Sequence, residues 1–128
     1  MQNTSETLIV LTTGKQDRGA RATLALSWAC SALALGKSTS LFLTMDGTIW
    51  ALKNSVEGVQ VEGFEPLANY FESFLSLGGK LMVCAPCSEY YCSLSGDESG
   101  FSLIDGAVLA GLATVVATAG QNSTVVTF

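Results

Sequence analysis

The chain contains no histidine at all, only two prolines, and few charges. Charged residues make up 13% of the 128 residues, against about 25% in an ordinary soluble domain. The six basic residues are Lys15, Arg18, Arg21, Lys37, Lys53 and Lys80, so nothing positive follows position 80. A phosphate backbone is bound by clustered Lys and Arg, and with no such cluster here nucleic acid is not an expected partner. The start, MQNTSETLIV, has neither the basic region nor the long apolar run of a secretory leader. The most apolar late stretch, Gly106 to Ala119, is too short to span a bilayer. The expected setting is the cytoplasm, away from the membrane, where thiols stay reduced, so the four cysteines do not read first as a disulfide frame.

Hydrophobic residues make up 48% of the chain. With so few charges a monomer would leave apolar surface uncovered, so part of that surface is expected to be buried between subunits. The length suits one domain covering residues 1–128.

Short apolar runs alternate with helical stretches. Leu8 to Leu11 reads as a buried strand, ended by Thr12-Thr13-Gly14. Asp17 can cap a helix over about Arg18 to Leu35, with Leu24, Ala25, Trp28, Ala29, Ala32 and Leu33 on its apolar face and Gly36 as its stop. Thr39 to Met45 is a second strand, closed by the turn Asp46-Gly47, and Thr48 to Lys53 suits a short helix. Asn54 to Glu65 reads as loop. Pro66 suits the first turn of a helix with Leu67, Tyr70, Phe71, Phe74 and Leu75 inward, ended by Gly78-Gly79. Leu81 to Cys84 is a third strand and Ala85 to Gly100 is expected to be mostly irregular. Asp105 to Thr118 reads as a helix of small apolar residues, and Ser123 to Phe128 as a last strand. Strands that are continuous apolar runs, alternating with helices, predict an α/β domain. Its mainly parallel sheet is covered on both faces, giving a three-layer sandwich.

Ligands of such sheets sit beyond the carboxyl ends of the strands. That edge collects Thr13 and Gly14, then Asp46 and Gly47, then Cys84 and Cys87 of the C-x-x-C segment Cys84-Ala85-Pro86-Cys87, with Cys92 five residues on. Asp46 reads first as a turn and helix-cap residue, and second as a polar group facing the thiols. A zinc site wants four ligands and usually shows two ligand pairs. With no histidine, and with Cys30 inside the first helix, neither zinc nor an iron–sulfur cluster is expected, and no cofactor is implied. Three other uses of the cysteines stay open. One is a thiol redox switch. Another is persulfide chemistry, in which a thiolate takes up sulfane sulfur and hands it on. The third is plain packing, since free cysteine is among the most buried residue types.

The ordered segments LIVLTTG, FLTMDGT, LMVCAPCSEYY, LIDGAVLAGLATVVATAG and STVVTF resemble the DsrE/DsrF-like (YchN-like) family over nearly the whole chain. The resemblance implies a parallel α/β sheet and a homotrimer or hexamer. It also implies sulfur relay through a cysteine just after the third strand, exchanged with a donor or acceptor protein, as in a sulfurtransferase-like carrier. Cys84 matches that cysteine, and Cys87 matches the second thiol of members that carry C-x-x-C. Relatives often place Arg-Gly where Tyr91 and Cys92 stand here, which makes Cys92 a candidate replacement resolving thiol. The rival expectation is a non-catalytic oligomeric module that binds a small ligand in the same pocket.

Overall fold

The computed structural model describes residues 6–93 and 103–128, without the side chains of residues 91–93. Five strands form one sheet: β1 (Glu6–Leu11), β2 (Ser38–Leu43), β3 (Lys80–Cys84), β4 (Ala107–Ala110) and β5 (Ser123–Thr127). Their order is β4-β3-β2-β1-β5, and every neighbouring pair is parallel. The helices are α1 (Ala20–Ala34), α2 (Leu67–Ser76), α3 (Ala85–Ser93) and α4 (Leu112–Thr118).

Alternation along the strands divides the sheet into two faces. Ile9, Leu11, Leu41, Leu43, Leu81 and Val83 meet α1 and α2 on one face, where Trp50, Leu67, Phe71 and Phe74 complete the larger core. Leu8, Phe42, Met82 and Cys84 occupy the other face with Ala110 and with Val115 of α4, and Cys87 of α3 packs against them. The three-layer α/β reading thus describes the fold.

Helix α1 begins where Asp17 accepts hydrogen bonds from the Gly19 and Arg21 N–H groups at 3.1 and 2.9 Å, so the expected acidic cap is present. Its buried stripe is Ala22, Ala25, Leu26, Ala29 and Ala32, whereas Leu24 and Trp28 are exposed. Small alanines let the helix lie close on the sheet, and that rotation carries the two large side chains to its flank, in contrast to the face expected from periodicity. Gly36, at φ +84°, ends the helix as expected, with the Lys37 N–H returning to the Ala32 carbonyl at 3.0 Å.

Two segments differ from expectation. Residues 85–93, expected to be irregular, form α3 directly after β3; Ala85 and Pro86 fill the first turn, where the missing proline N–H costs nothing. The single helix expected over Asp105 to Thr118 is instead β4 followed by the short α4. Ala-Val-Leu-Ala is compatible with either state, and the free edge of β3 decides it by pairing Leu81 with Ala107 through Cys84 with Ala110. Helix α4 must then carry the chain from one edge of the sheet to the other, across four strand spacings or about 19 Å. Among the described residues, the seven-residue α4 covers only part of that face. Leu112 and Val116 of α4 are 63% and 69% exposed, and Val108 of β4 is 58% exposed. Among the described residues, no helix is long and apolar enough to cross a membrane.

Candidate functional site

The loops after β1 and β2 are pressed together at the carboxyl edge of the sheet. The Thr44 and Gly47 N–H groups donate to the Leu11 and Thr12 carbonyls at 3.1 Å each. A Cβ on Gly47 would stand 2.2 Å from the Leu11 carbonyl oxygen, and one on Gly14 would stand 2.6 Å from that of Asp46. Only glycine allows this approach. The Thr13 carbonyl accepts from the buried Trp50 indole N–H at 2.8 Å, and the Asp46 carboxylate accepts from the Gln16 side-chain amide at 2.6 Å. Thr13, Gly14 and Gly47 therefore fix the shape of the edge.

After this junction the chain enters a 3-10 turn over Met45–Ala51. Met45 holds a left-handed backbone, φ +51°, which costs a non-glycine residue about 1 kcal/mol. Its N–H donates to the Cys87 sulfur at 3.3 Å. The Thr44 hydroxyl lies 3.5 Å from the same sulfur. Sequence reasoning placed Asp46 and Gly47 here and missed their neighbours Thr44, Met45 and Thr48. The signal was present in FLTMDGT, whose two threonines flank the turn, but a backbone N–H aimed by a left-handed residue leaves no mark in a sequence.

Cys84 ends β3 and Cys87 lies in the first turn of α3, which sets the two cysteines against the same buried cluster at the strand–helix junction. Cys84, expected at the mouth of the pocket and partly accessible, is only 4% exposed. It points into the core beside Met82 and Phe42, because the alternation that buries those side chains buries Cys84 as well. Cys87 is half-buried and reachable.

The two thiols are driven apart electrostatically. Burial pushes Cys84 up, and the neighbouring Cys87 thiol pushes the same way, while the Thr44 hydroxyl and the Cys87 N–H offset this only in part. Burial also acts to raise Cys87. There the polar groups around the sulfur, the Cys84 thiol first, then the Thr44 hydroxyl, the Met45 N–H and the Thr48 hydroxyl, outweigh it and lower the thiol from its ordinary value. Of the two, Cys87 is the thiol whose ionised form its surroundings favour. Cys30 packs between α1 and α2, where its thiol donates to the Tyr70 carbonyl at 3.4 Å. Burial, then the Glu65 carboxylate, raises its pKa. The side chains of Cys92 and Tyr91 lie outside the described residues. Among those described, no group of three or more Cys, Asp or Glu side chains is placed to hold a metal ion.

A parallel three-layer sandwich with a dithiol at the carboxyl end of its third strand thus defines the class. The sequence profile of the DsrE/DsrF-like family matches residues 6–128, and the chain belongs to that family. The fold is similar to that of the ychN protein from E. coli, with 17% identity and a TM-score of 0.73, covering 97% of this chain and 99% of that one. It is also similar to BT1422 of Bacteroides thetaiotaomicron, a conserved protein of unknown function, with 13% identity and a TM-score of 0.60 over 95% and 94% of the two chains. No curated protein matches the chain.

Proposed function

We propose that the protein accepts sulfane sulfur on Cys87 as a persulfide and hands it to a protein or small-molecule thiol in the reducing cytoplasm. The observation that carries this reading is the half-buried Cys87 sulfur held by the Met45 N–H and the Thr44 hydroxyl. These neutral donors stabilise a thiolate, and equally a persulfide anion, without the cation that would bind a more highly charged oxyanion. The family resemblance points first to Cys84, but its burial favours Cys87 as the entry point. The test is the intact mass of reduced chains after anaerobic exposure to inorganic polysulfide. A chain carrying Cys84→Ser should gain one sulfur atom, and a chain carrying Cys87→Ser should gain none. Equal gain by both variants would remove Cys87 from the role.

A second reading, a ligand-binding module, is favoured by a separate cavity of about 440 Å³ between α1 and β5, lined by Leu24, Trp28, Leu35, Lys37 and Thr124. It lies away from the thiols, and the alanine variant of Trp28 should leave sulfur uptake unchanged if the two are independent.

Self-association belongs to the same proposal. The exposed Val108, Leu112 and Val116 form an apolar surface on and beside α4, of the kind that subunit contacts cover. Light scattering at micromolar concentration should give several times 13.3 kDa, and the double substitution Leu112→Lys with Val116→Lys should reduce it towards the monomer. A wild-type monomer would contradict the proposal.

A further inference from the structure

The sulfur-acceptor reading leaves one thiol without work. Cys84 is 4% exposed, so neither a sulfur donor nor an acceptor protein can reach it. What it does neighbour is Cys87, which follows it within the first turn of α3 and packs against the same buried cluster. Three residues into a first helical turn places Cα atoms about 5 Å apart, inside the window of about 4.4–6.8 Å that a disulfide needs. The two cysteines can therefore join without moving the strand–helix junction.

On the other side of the Cys87 sulfur stand donors suited to an anion. Besides the Met45 N–H and the Thr44 hydroxyl there is Thr48, whose side chain is wholly buried. Its hydroxyl oxygen has no hydrogen-bond partner among the described residues within ordinary distance, yet it acts on Cys87. A buried hydroxyl without a partner is costly, and an anionic sulfur carried on Cys87 is the kind of acceptor it lacks.

We infer that Cys84 resolves the Cys87 persulfide and releases its outer sulfur as hydrogen sulfide, making the protein a sulfane-sulfur reductase as well as a carrier. This rests on the reading of Cys87 as the sulfur acceptor. Cys84 Sγ attacks Cys87 Sγ, the inner sulfur of the persulfide. The Cys84–Cys87 disulfide bond forms, and the bond from Cys87 Sγ to the outer sulfur breaks. The outer sulfur leaves with that electron pair. It takes up the Cys84 proton and keeps the persulfide proton, so one persulfide and one thiol become one disulfide and one hydrogen sulfide. The outer sulfur is reduced and Cys84 is oxidised. An external dithiol then reduces the disulfide, becomes a disulfide itself, and restores both thiols. Buried Cys84 holds its proton, which makes resolution slow enough for a docked acceptor to compete for the sulfur.

The experiment is a single turnover without reductant. Reduced wild-type chain is exposed anaerobically to inorganic polysulfide and freed of excess donor by rapid gel filtration. Sulfide and intact mass are then followed with time. The expected course is a gain of one sulfur, followed by release of about one sulfide per chain and a final mass two hydrogens below the starting chain. Release should accelerate as pH rises and Cys84 loses its proton. Cys84→Ser should keep its added sulfur and release at least about tenfold less sulfide. A wild-type chain that keeps its added sulfur as long as Cys84→Ser overturns the resolving role while leaving the acceptor reading intact. A Cys84→Ser chain that folds, by circular dichroism, but gains no sulfur overturns the acceptor reading and this inference with it. Should that variant not fold, the same course in a Cys92→Ser chain decides the matter, since sulfide release with the loss of two hydrogens there supports Cys84 and its absence overturns the resolving role.

Discussion

Native-state alkylation at neutral pH is expected to label Cys87 on the order of tenfold or more faster than Cys84 or Cys30, since only the thiolate reacts and only an exposed one is reached. Three thiols of one chain sit in three different surroundings. Cys30 is wedged between helices, its thiol committed to the Tyr70 carbonyl, and burial with Glu65 holds it protonated. Cys84 is protonated through burial and through its partnership with Cys87. Cys87 pays some desolvation too, but its donors outweigh that and its thiolate forms at lower pH. The sign of the pH dependence follows. Labelling of Cys87 should rise and level off below the pH at which an ordinary cysteine does, and labelling of Cys84 and Cys30 should still be rising there. The measurement is peptide-resolved alkylation across pH in a Cys92→Ser background. Removing the Thr44 hydroxyl as Thr44→Val should move the Cys87 curve to higher pH. Equal rates at all three positions would show that the donors around Cys87 have no chemical consequence.

Gly47→Ala is expected to cost about 3 kcal/mol, the upper end for forced overpacking, and to lower Tm by on the order of 10 °C. The added methyl would meet the Leu11 carbonyl oxygen at 2.2 Å and its carbon at 2.9 Å. Both are backbone atoms of the interior strand β1, held by β2 on one side and β5 on the other, so they cannot yield as a flexible side chain would. The turn must move instead. Met45 and Thr44 stand two and three residues before Gly47, and their contacts with Cys87 depend on its position. The substitution should therefore slow Cys87 alkylation along with destabilising the fold. Gly120→Ala is the control, because a Cβ there meets nothing within 4 Å, and a change within about 0.5 kcal/mol is expected. Urea denaturation of both variants measures the difference, and equal midpoints would contradict the packing described for the edge.

The parts of this fold that were legible in the sequence are those where local chemistry and tertiary packing agree. Leu8 to Leu11, Leu41 to Leu43 and Leu81 to Val83 are apolar on every residue, as strands covered on both faces must be. Asp17, Gly36 and Pro66 mark helix ends through side-chain and backbone effects that act within a few residues. Where tertiary context decides, the reading departed. Ala107 to Ala110 looked helical because alanine and leucine favour helices, and only the edge of β3 makes it a strand. Trp28 looked buried because periodicity identifies an apolar face without saying how far an alanine-rich helix rotates against its sheet. The C-x-x-C spacing revealed the dithiol, but not which thiol faces the core. That depends on which side of β3 Cys84 projects from, and hence on the register that carries Met82 and Cys84 to the same face.

The account stands most directly on where sulfur enters. Reduced chain carrying Cys84→Ser, exposed anaerobically to polysulfide and digested under acidic conditions, can be read peptide by peptide for added sulfur. The account predicts one sulfur atom on Cys87 and none on Cys30 or Cys92. Sulfur located on Cys92 or Cys30 while Cys87 stays free, or no added sulfur on a folded chain, would contradict it.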